Sequence, residues 1–377
     1  MRIGVPKEIK NHEYRVGMTP SAVRELTRDG HEVLVQTSAG AAIGFTDDDY
    51  RRAGAALESS AEAVFRNAEL IVKVKEPQAG ERQLLTPDQT LFTYLHLAPD
   101  EAQTRDLVAS GATCIAYETV TDDYGRLPLL APMSEVAGRM SVQAGAHCLE
   151  RERGGRGVLL GGVPGVSPAR VTIIGAGMVG QNALAMAAGM GADVSILDVN
   201  LEVLRALDQR YGNRIRTVFS SADQLDQCVT EADLVIGAVL IPGASAPKLV
   251  TRDMLRRMPD GSVLVDVAID QGGCAETSRP TTHDDPVFIE EGVVHYCVAN
   301  MPGAVARTST LALTNATLPF IRQLANLGPV RAMRDNPHLL AGLNVCHGQV
   351  TYREVAQAHG LDYAEPASAL AGSSAAC

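Results

Sequence analysis

The sequence predicts an α/β protein in which two parallel-sheet domains flank a cleft and are joined by long helices, and three observations carry that prediction. Short β-rich runs alternate with helical stretches from Arg2 to Val298. Those runs are nearly continuously apolar, as expected of strands buried on both faces of a parallel sheet. The third observation is Val171-Thr-Ile-Ile-Gly175-Ala-Gly177-Met-Val-Gly180, followed by an apolar helical run and then Val194-Ser-Ile-Leu-Asp198. A strand, a Gly-x-Gly-x-x-Gly turn, a helix, a second strand and a terminal acid form a Rossmann-like unit, which rests a dinucleotide pyrophosphate on a helix N-terminus. Both domains are expected to be Rossmann-like.

In chain order, Arg2 to Val5 reads as a strand, Pro20 to Asp29 as a helix capped by Thr19, and His31 to Gln36 as a strand. Further strands are expected at Leu70 to Lys75, Gln89 to Leu97 and Thr113 to Glu118. Ser134 to Glu150 has helical spacing with Ser134 placed as its cap, and the glycine-rich loop Gly154 to Gly165 delivers the chain to the dinucleotide strand. Later strands are expected at Leu234 to Ala238, Val263 to Val267 and Val293 to Val298, and a second long helix at Arg307 to Asn326. Beyond it no strand alternation is evident, and Ala371 to Cys377 reads as a frayed tail. The expected domains are therefore residues 1–130 plus 307–377, which bind substrate, and 131–306, which bind the dinucleotide.

Each glycine of the turn has its own task. Gly175 permits the tight turn, Gly177 lets backbone N–H groups approach the phosphates, and Gly180 lets helix and strand pack closely. Asp198 ends the next strand, where a carboxylate accepts from ribose hydroxyls and repels a 2′-phosphate, which favours NAD over NADP. The net charge of −11 argues against a nucleic-acid surface and for a small substrate. No apolar run is long enough to span a bilayer and Met1-Arg-Ile-Gly-Val-Pro begins a strand with no signal-peptide core, so a cytoplasmic protein is expected. Seven cysteines without a Cys-x-x-Cys argue against disulfides and structural zinc. No metal site is expected: His295 and Cys297 share a strand face, yet two ligands without a third read as core packing.

Polar residues at strand ends of the first domain are the candidates for substrate chemistry. Lys75 closes Leu70-Ile-Val-Lys-Val-Lys75, where a cation holds a carboxylate or polarises a carbonyl, or is simply solvated; Lys73, two residues earlier, shares the argument. His96 lies in Leu91-Phe-Thr-Tyr-Leu-His96, on the strand face of Phe92 and Tyr94, as a proton-exchanging imidazole or a satisfied core histidine. Arg15, in the polar loop Asn11-His-Glu-Tyr-Arg15, can clamp a carboxylate with two parallel hydrogen bonds. Asp270 follows a strand of the second domain and precedes Gly272-Gly273, aimed at the cleft or merely forming the turn. Asn300 ends another strand, to touch the nicotinamide or cap the next helix.

These segments together resemble the alanine dehydrogenase/pyridine nucleotide transhydrogenase family, from Met1 to about Leu370. The matching stretches are Glu8-Ile-Lys-Asn-His-Glu-Tyr-Arg15, Val72-Lys-Val-Lys75-Glu-Pro, Leu95-His96-Leu, Leu130-Ala-Pro-Met-Ser134-Glu-Val-Ala-Gly-Arg139, Asp266-Val-Ala-Ile-Asp270-Gln-Gly-Gly-Cys-Ala-Glu276 and Cys297-Val-Ala-Asn300-Met-Pro. The resemblance implies reversible NAD-dependent oxidative deamination of L-alanine to pyruvate and ammonia, by a homohexamer. It implies that Arg15 and Lys75 hold substrate, that His96 is the acid/base and that Asp270 is the second catalytic residue. For NAD it points to Ser134, Met178, Val179, Asp198, Ser220, Val239, Leu240 and Arg279, with Val267, Ala268, Ile269 and Asp270, and Val298, Ala299, Asn300 and Met301. Val203 stands where the family has a basic residue; Arg205 is nearby, and which residue replaces that contact stays open. Two other functions share the fold: a transhydrogenase-type subunit that passes hydride to a partner, and a regulator that senses NAD without turnover.

Overall fold

The computed structural model describes residues 1–239 and 246–372. The chain divides into two compact units, Met1–Pro132 together with the chain from Val305 onward, and Met133–Ala304. Strands β1 (Arg2–Val5), β2 (Glu32–Gln36), β3 (Ala56–Glu58), β4 (Leu70–Val72), β5 (Thr90–Thr93) and β6 (Thr113–Ala116) belong to the first unit. Strands β7 (Arg170–Ile174), β8 (Asp193–Asp198), β9 (Arg216–Phe219), β10 (Leu234–Gly237), β11 (Val263–Asp266), β12 (Val287–Glu290) and β13 (Val293–Tyr296) form the second, and β14 (Leu343–Cys346) and β15 (Gln349–Val350) return to the first.

In the first sheet β3, β2, β1, β4, β5 and β6 lie side by side and parallel, with β14 antiparallel on β6 and β15 antiparallel on β14. In the second, β9, β8, β7, β10, β11 and β13 are parallel and β12 is an antiparallel edge. Both parallel runs start at an inner strand, wind outward, and then reverse across it. That is the doubly wound order, and it opens a crevice at the carboxyl ends of the strands where the order reverses. In the first unit the reversal lies between β1 and β4; in the second it lies between β7 and β10. Every residue of β4, β5, β6, β10, β11 and β13 is buried, which explains the unbroken apolar runs.

The elements depart from the sequence expectation at informative places. The helix expected from Ser134 begins at Ala131 and runs to Cys148, so Ser134 sits within its first turn and caps nothing. The run to Lys75 leaves regular pairing after Val72, because the Glu8 carboxylate takes the backbone N–H groups of Val74 and Lys75 at 2.7 and 3.4 Å. The run to Leu97 ends at Thr93, because the Leu95 and His96 N–H groups turn to the Glu118 carboxylate. The helix from Arg307 is present as Ala306–Leu327, but the expectation of no strand beyond it fails: β14 and β15 extend the first sheet. Most of the tail from Ala371, from residue 373 on, lies outside the described residues. Among the described residues no helix is long and apolar enough to cross a membrane.

Candidate functional site

In the second unit, β7 gives way to Gly175, whose φ of +98° is open to glycine at no cost. A Cβ there would stand 2.8 Å from the Ala238 carbonyl oxygen, so the turn lies directly against the end of β10. Gly177 is the N-cap of the helix Met178–Gly189 with no side chain capping it, and its missing Cβ faces open space. Orphan N–H groups at a helix start beside an empty position make an anion seat, so these residues fit a dinucleotide phosphate. A Cβ on Gly180 would overlap the Gly175 carbonyl oxygen, which makes that glycine a packing requirement.

The Asp198 carboxylate closes the turn from the neighbouring strand. It accepts from the Ala176 N–H at 2.7 Å with one oxygen and from the Asn200 N–H at 2.8 Å with the other. Ser220 follows β9 and donates its N–H to the Asp198 carbonyl oxygen at 3.0 Å. Ser134 is half-buried in the first turn of its helix, Met178 is exposed, and Val179 and Val239 are half-buried. Leu240 lies outside the described residues. Val203 is turned inward against the core, and Arg205 pairs with Glu202 on its own helix, so neither is a free cation at Asp198.

Val267, Ala268, Ile269 and exposed Asp270 lie on one short turn, Val267–Gln271, after β11. Val298, Ala299, Asn300 and Met301 follow β13, with Asn300 at a φ of +58°. Arg279 is exposed and stacks its guanidinium 4.1 Å over the Phe288 ring. Among the described NAD candidates, all except Ser134 and Arg279 lie at or within a few residues of the carboxyl ends of parallel strands. His295 is fully buried and bonded to Thr277 Oγ1 at 2.8 Å and to the Val293 carbonyl oxygen at 2.9 Å, so it is spoken for in the core. Among the described residues no three His, Cys, Asp or Glu gather as metal ligands.

In the first unit the reversal point carries the cations. A Cβ on Gly17 would stand 2.5 Å from the Val72 carbonyl oxygen, so the chain leaving Arg15 crosses directly against the end of β4. Arg15 is only 2 % exposed, and Glu13 grips it with Nε–Oε1 at 2.7 Å and Nη2–Oε2 at 2.5 Å. Burial opposes its charge, but that pairing holds its pKa above the ordinary arginine value. Among the described residues the Lys75 ammonium has no carboxylate within ion-pair range. Burial, with the nearby Arg15 and Lys10 charges, pulls its pKa below the usual lysine value despite Glu76.

Lys73 does not share that role. It is fully buried and paired with Glu8 at 3.1 Å and Glu81 at 2.9 Å. Burial would depress its ammonium, yet those two carboxylates hold it above the ordinary value.

His96 sits in the loop after β5 at a φ of +49°, its side chain 47 % exposed rather than on a strand face. Its N–H donates to Glu118 Oε1 at 2.6 Å, and its ring stacks on Tyr94 with centroids 5.7 Å apart and planes within 6°. The Tyr94 hydroxyl donates to the Leu129 carbonyl oxygen at 2.6 Å, and the Arg15 charge acts on that hydroxyl. Tyr94 thus links the imidazole to Arg15. Glu13 and Glu118 carry only faint sequence signals, an acid two residues before Arg15 and an acid ending the run from Thr113.

Fold and site define a two-unit dinucleotide-binding protein of the dehydrogenase class, with a phosphate-seating turn in one unit and a cation–imidazole cluster in the other. The chain belongs to the alanine dehydrogenase/PNT family: the profile "Alanine dehydrogenase/PNT, N-terminal domain" matches residues 4–137, and "Alanine dehydrogenase/PNT, C-terminal domain" matches 141–353. It is 63% identical to the alanine dehydrogenase of Halomonas elongata over 370 residues, covering 98% of this chain and all of that one. It is 55% identical to that of Geobacillus stearothermophilus over 373 residues, covering 99% of this chain and all of the relative. A solved L-alanine dehydrogenase superposes with a TM-score of 0.93 at 51% identity, over 96% of this chain and 99% of that one. A transhydrogenase from Sinorhizobium meliloti gives 0.82 at 25% identity, over 93% of this chain and all of that one.

The glycines separate two effects of the turn. Gly180→Ala is expected to lower stability by about 1–3 kcal/mol, the usual scale of overpacking. Gly177→Ala, into open space, should leave thermal stability unchanged and weaken NAD by about tenfold or more, the equivalent of ~1.4 kcal/mol. Thermal unfolding with an NAD titration reads both. Unweakened NAD binding by Gly177→Ala would show that the phosphates do not lie there.

Proposed function

We propose that the chain catalyses the NAD-dependent, reversible oxidative deamination of L-alanine to pyruvate and ammonia. The observation that supports this most is a buried arginine at the reversal point of the first sheet, beside a lysine with no carboxylate in ion-pair range among the described residues, with an imidazole one tyrosine away from the arginine. A substrate with a carboxylate and an amine that must lose a proton needs that set.

NAD, when bound, supplies the hydride acceptor that turns the substrate Cα–N bond into a cationic imine. Arg15, its plane fixed by Glu13, holds the substrate carboxylate, and Lys75 holds the oxygen that becomes the carbonyl of pyruvate. Alanine reacts as its neutral amine, its ammonium proton having gone to solvent; His96 takes a proton from the water that adds to the imine, gives it to the nitrogen so that ammonia departs, and takes back the hydroxyl proton released as the carbonyl forms. Asp270 stabilises the positive imine and orients that water. The turn Gly175 to Gly180 holds the pyrophosphate, and Asp198, both of whose oxygens already bind backbone N–H groups, keeps a negative charge near the ribose that disfavours NADP. Ser134, Ser220, Arg279, Val239 and the segments Val267 to Asp270 and Val298 to Met301 complete the NAD contacts. The proposal includes a homohexamer in the cytoplasm, carried by the family resemblance; light scattering of the purified chain reads the assembly.

The deciding experiment is absorbance of NADH formed from NAD with alanine, serine or no amino acid, and of NADH consumed with pyruvate and ammonia, or with glyoxylate and ammonia. Alanine-dependent NADH formation and pyruvate-dependent consumption are expected. NAD binding without turnover would instead indicate a sensor.

A further inference from the structure

The turn that carries Asp270 is gripped at both ends. At its start the fully buried Asp266 carboxylate accepts from the Ala268 N–H at 3.1 Å, the Cys274 N–H at 2.8 Å and Ser278 Oγ at 2.5 Å. The chain leaving the turn is thereby drawn back to the residue that opens it. At its end, the Lys248 ammonium donates to the carbonyl oxygens of Gly272 at 2.5 Å and Gly273 at 2.9 Å. These glycines have φ values of +90° and +79° and no side chains to stiffen them. Carbonyls at the end of a helical turn lack intrahelical partners and favour a cation beside them. Lys248 is exposed, and among the described residues it has no carboxylate within ion-pair range. An exposed lysine is ordinarily solvated or loosely paired; this one is committed to two backbone oxygens.

The backbone around Lys248 is tied to the same loop. The Ala246 N–H donates to the Gln271 carbonyl at 2.9 Å, and the Leu249 and Val250 N–H groups donate to the Cys274 carbonyl at 2.8 and 3.0 Å. We propose that Lys248 is a positioning residue for the deamination reaction, fixing the Val267–Gln271 turn and through it the Asp270 carboxylate. The proposal rests on the function proposed above.

The test compares the intact chain with Lys248→Met, which keeps the stem and loses the donors, and with Lys248→Arg, which restores a cation with several. Lys248→Met should exchange the amide hydrogens of residues 267–274 at least about tenfold faster, with an unchanged unfolding midpoint. Its kcat should fall by about 10- to 100-fold, the scale of a small misplacement of a reacting group, and the acid limb of its kcat–pH profile should move. Lys248→Arg should restore most of both. A merely smaller active fraction would scale the profile without changing its shape. Parent-like kcat in Lys248→Met, unchanged exchange in 267–274, or no rescue by arginine overturns the proposal. If the parent chain makes no NADH from alanine, the proposed function falls first, and the exchange measurement still decides the clamp.

Discussion

His96→Ala is expected to lower kcat for alanine deamination by ~10²–10⁴-fold, the range for loss of a general acid/base. The side chain is half exposed and its removal opens no core cavity, so folding should be unaffected. The left-handed backbone at His96 complicates a simple deletion, because alanine is less at home there than histidine or asparagine. His96→Asn resolves this. It tolerates the same φ and keeps the N–H bond to Glu118, but cannot exchange a proton near neutral pH. Both variants should therefore lose activity to a similar degree while retaining NAD affinity. Steady-state kinetics showing near-normal turnover in either would remove His96 from the mechanism, whatever the fate of Arg15 and Lys75.

Lys73→Met is expected to cost about 3–5 kcal/mol of folding stability, the usual result of removing one partner from a buried ionic group. Two carboxylates, Glu8 and Glu81, would be left facing each other in a site with essentially no solvent access. The deficit should depend on pH. Burial already raises the Glu8 pKa above the ordinary carboxylate value even with Lys73 present, and losing that cation raises it further. A carboxyl whose folded-state pKa is raised binds its proton more tightly in the folded chain than in the unfolded one, so stability falls as pH rises from the unfolded value through the folded one. Denaturation at several pH values should show the gap between Lys73→Met and the parent narrowest in mild acid and widest above neutrality. Because Glu8 also holds the backbone of Val74 and Lys75, NADH formation should decline with the same pH trend. An equal deficit at every pH would mean that the carboxylates had found other partners.

Much of the fold was legible because its signals are local. The glycine turn after β7, the apolar runs of β1, β4, β10 and β11 and the Thr19 cap each announce themselves within a few residues, and the structure carries them. What the sequence hid depends on partners distant in the chain. Lys73 and Lys75 read alike in a strand, yet Glu8 and Glu81 close around the first and not the second. His96 read as a strand residue because nothing near it reveals that Glu118, far along the chain, takes its N–H. The strands β14 and β15 were passed over because they are short and include Asn344 and Gln349; they are strands by virtue of lying beside β6. Of the candidate site, residue types at strand ends were readable. Their settings, such as the Glu13 clamp on Arg15 and the tyrosine beneath the imidazole, were not.

The return of the chain to the first sheet sets an order on biosynthesis. As the polypeptide leaves the ribosome, β6 has emerged long before Leu343, and its outer edge stays unpaired until β14 arrives. The second unit, contiguous in sequence, has all its strands in hand by Tyr296. The portion translated first is thus the one completed last, and the exposed backbone edge of a nascent, half-built sheet is where a chaperone would be needed during synthesis.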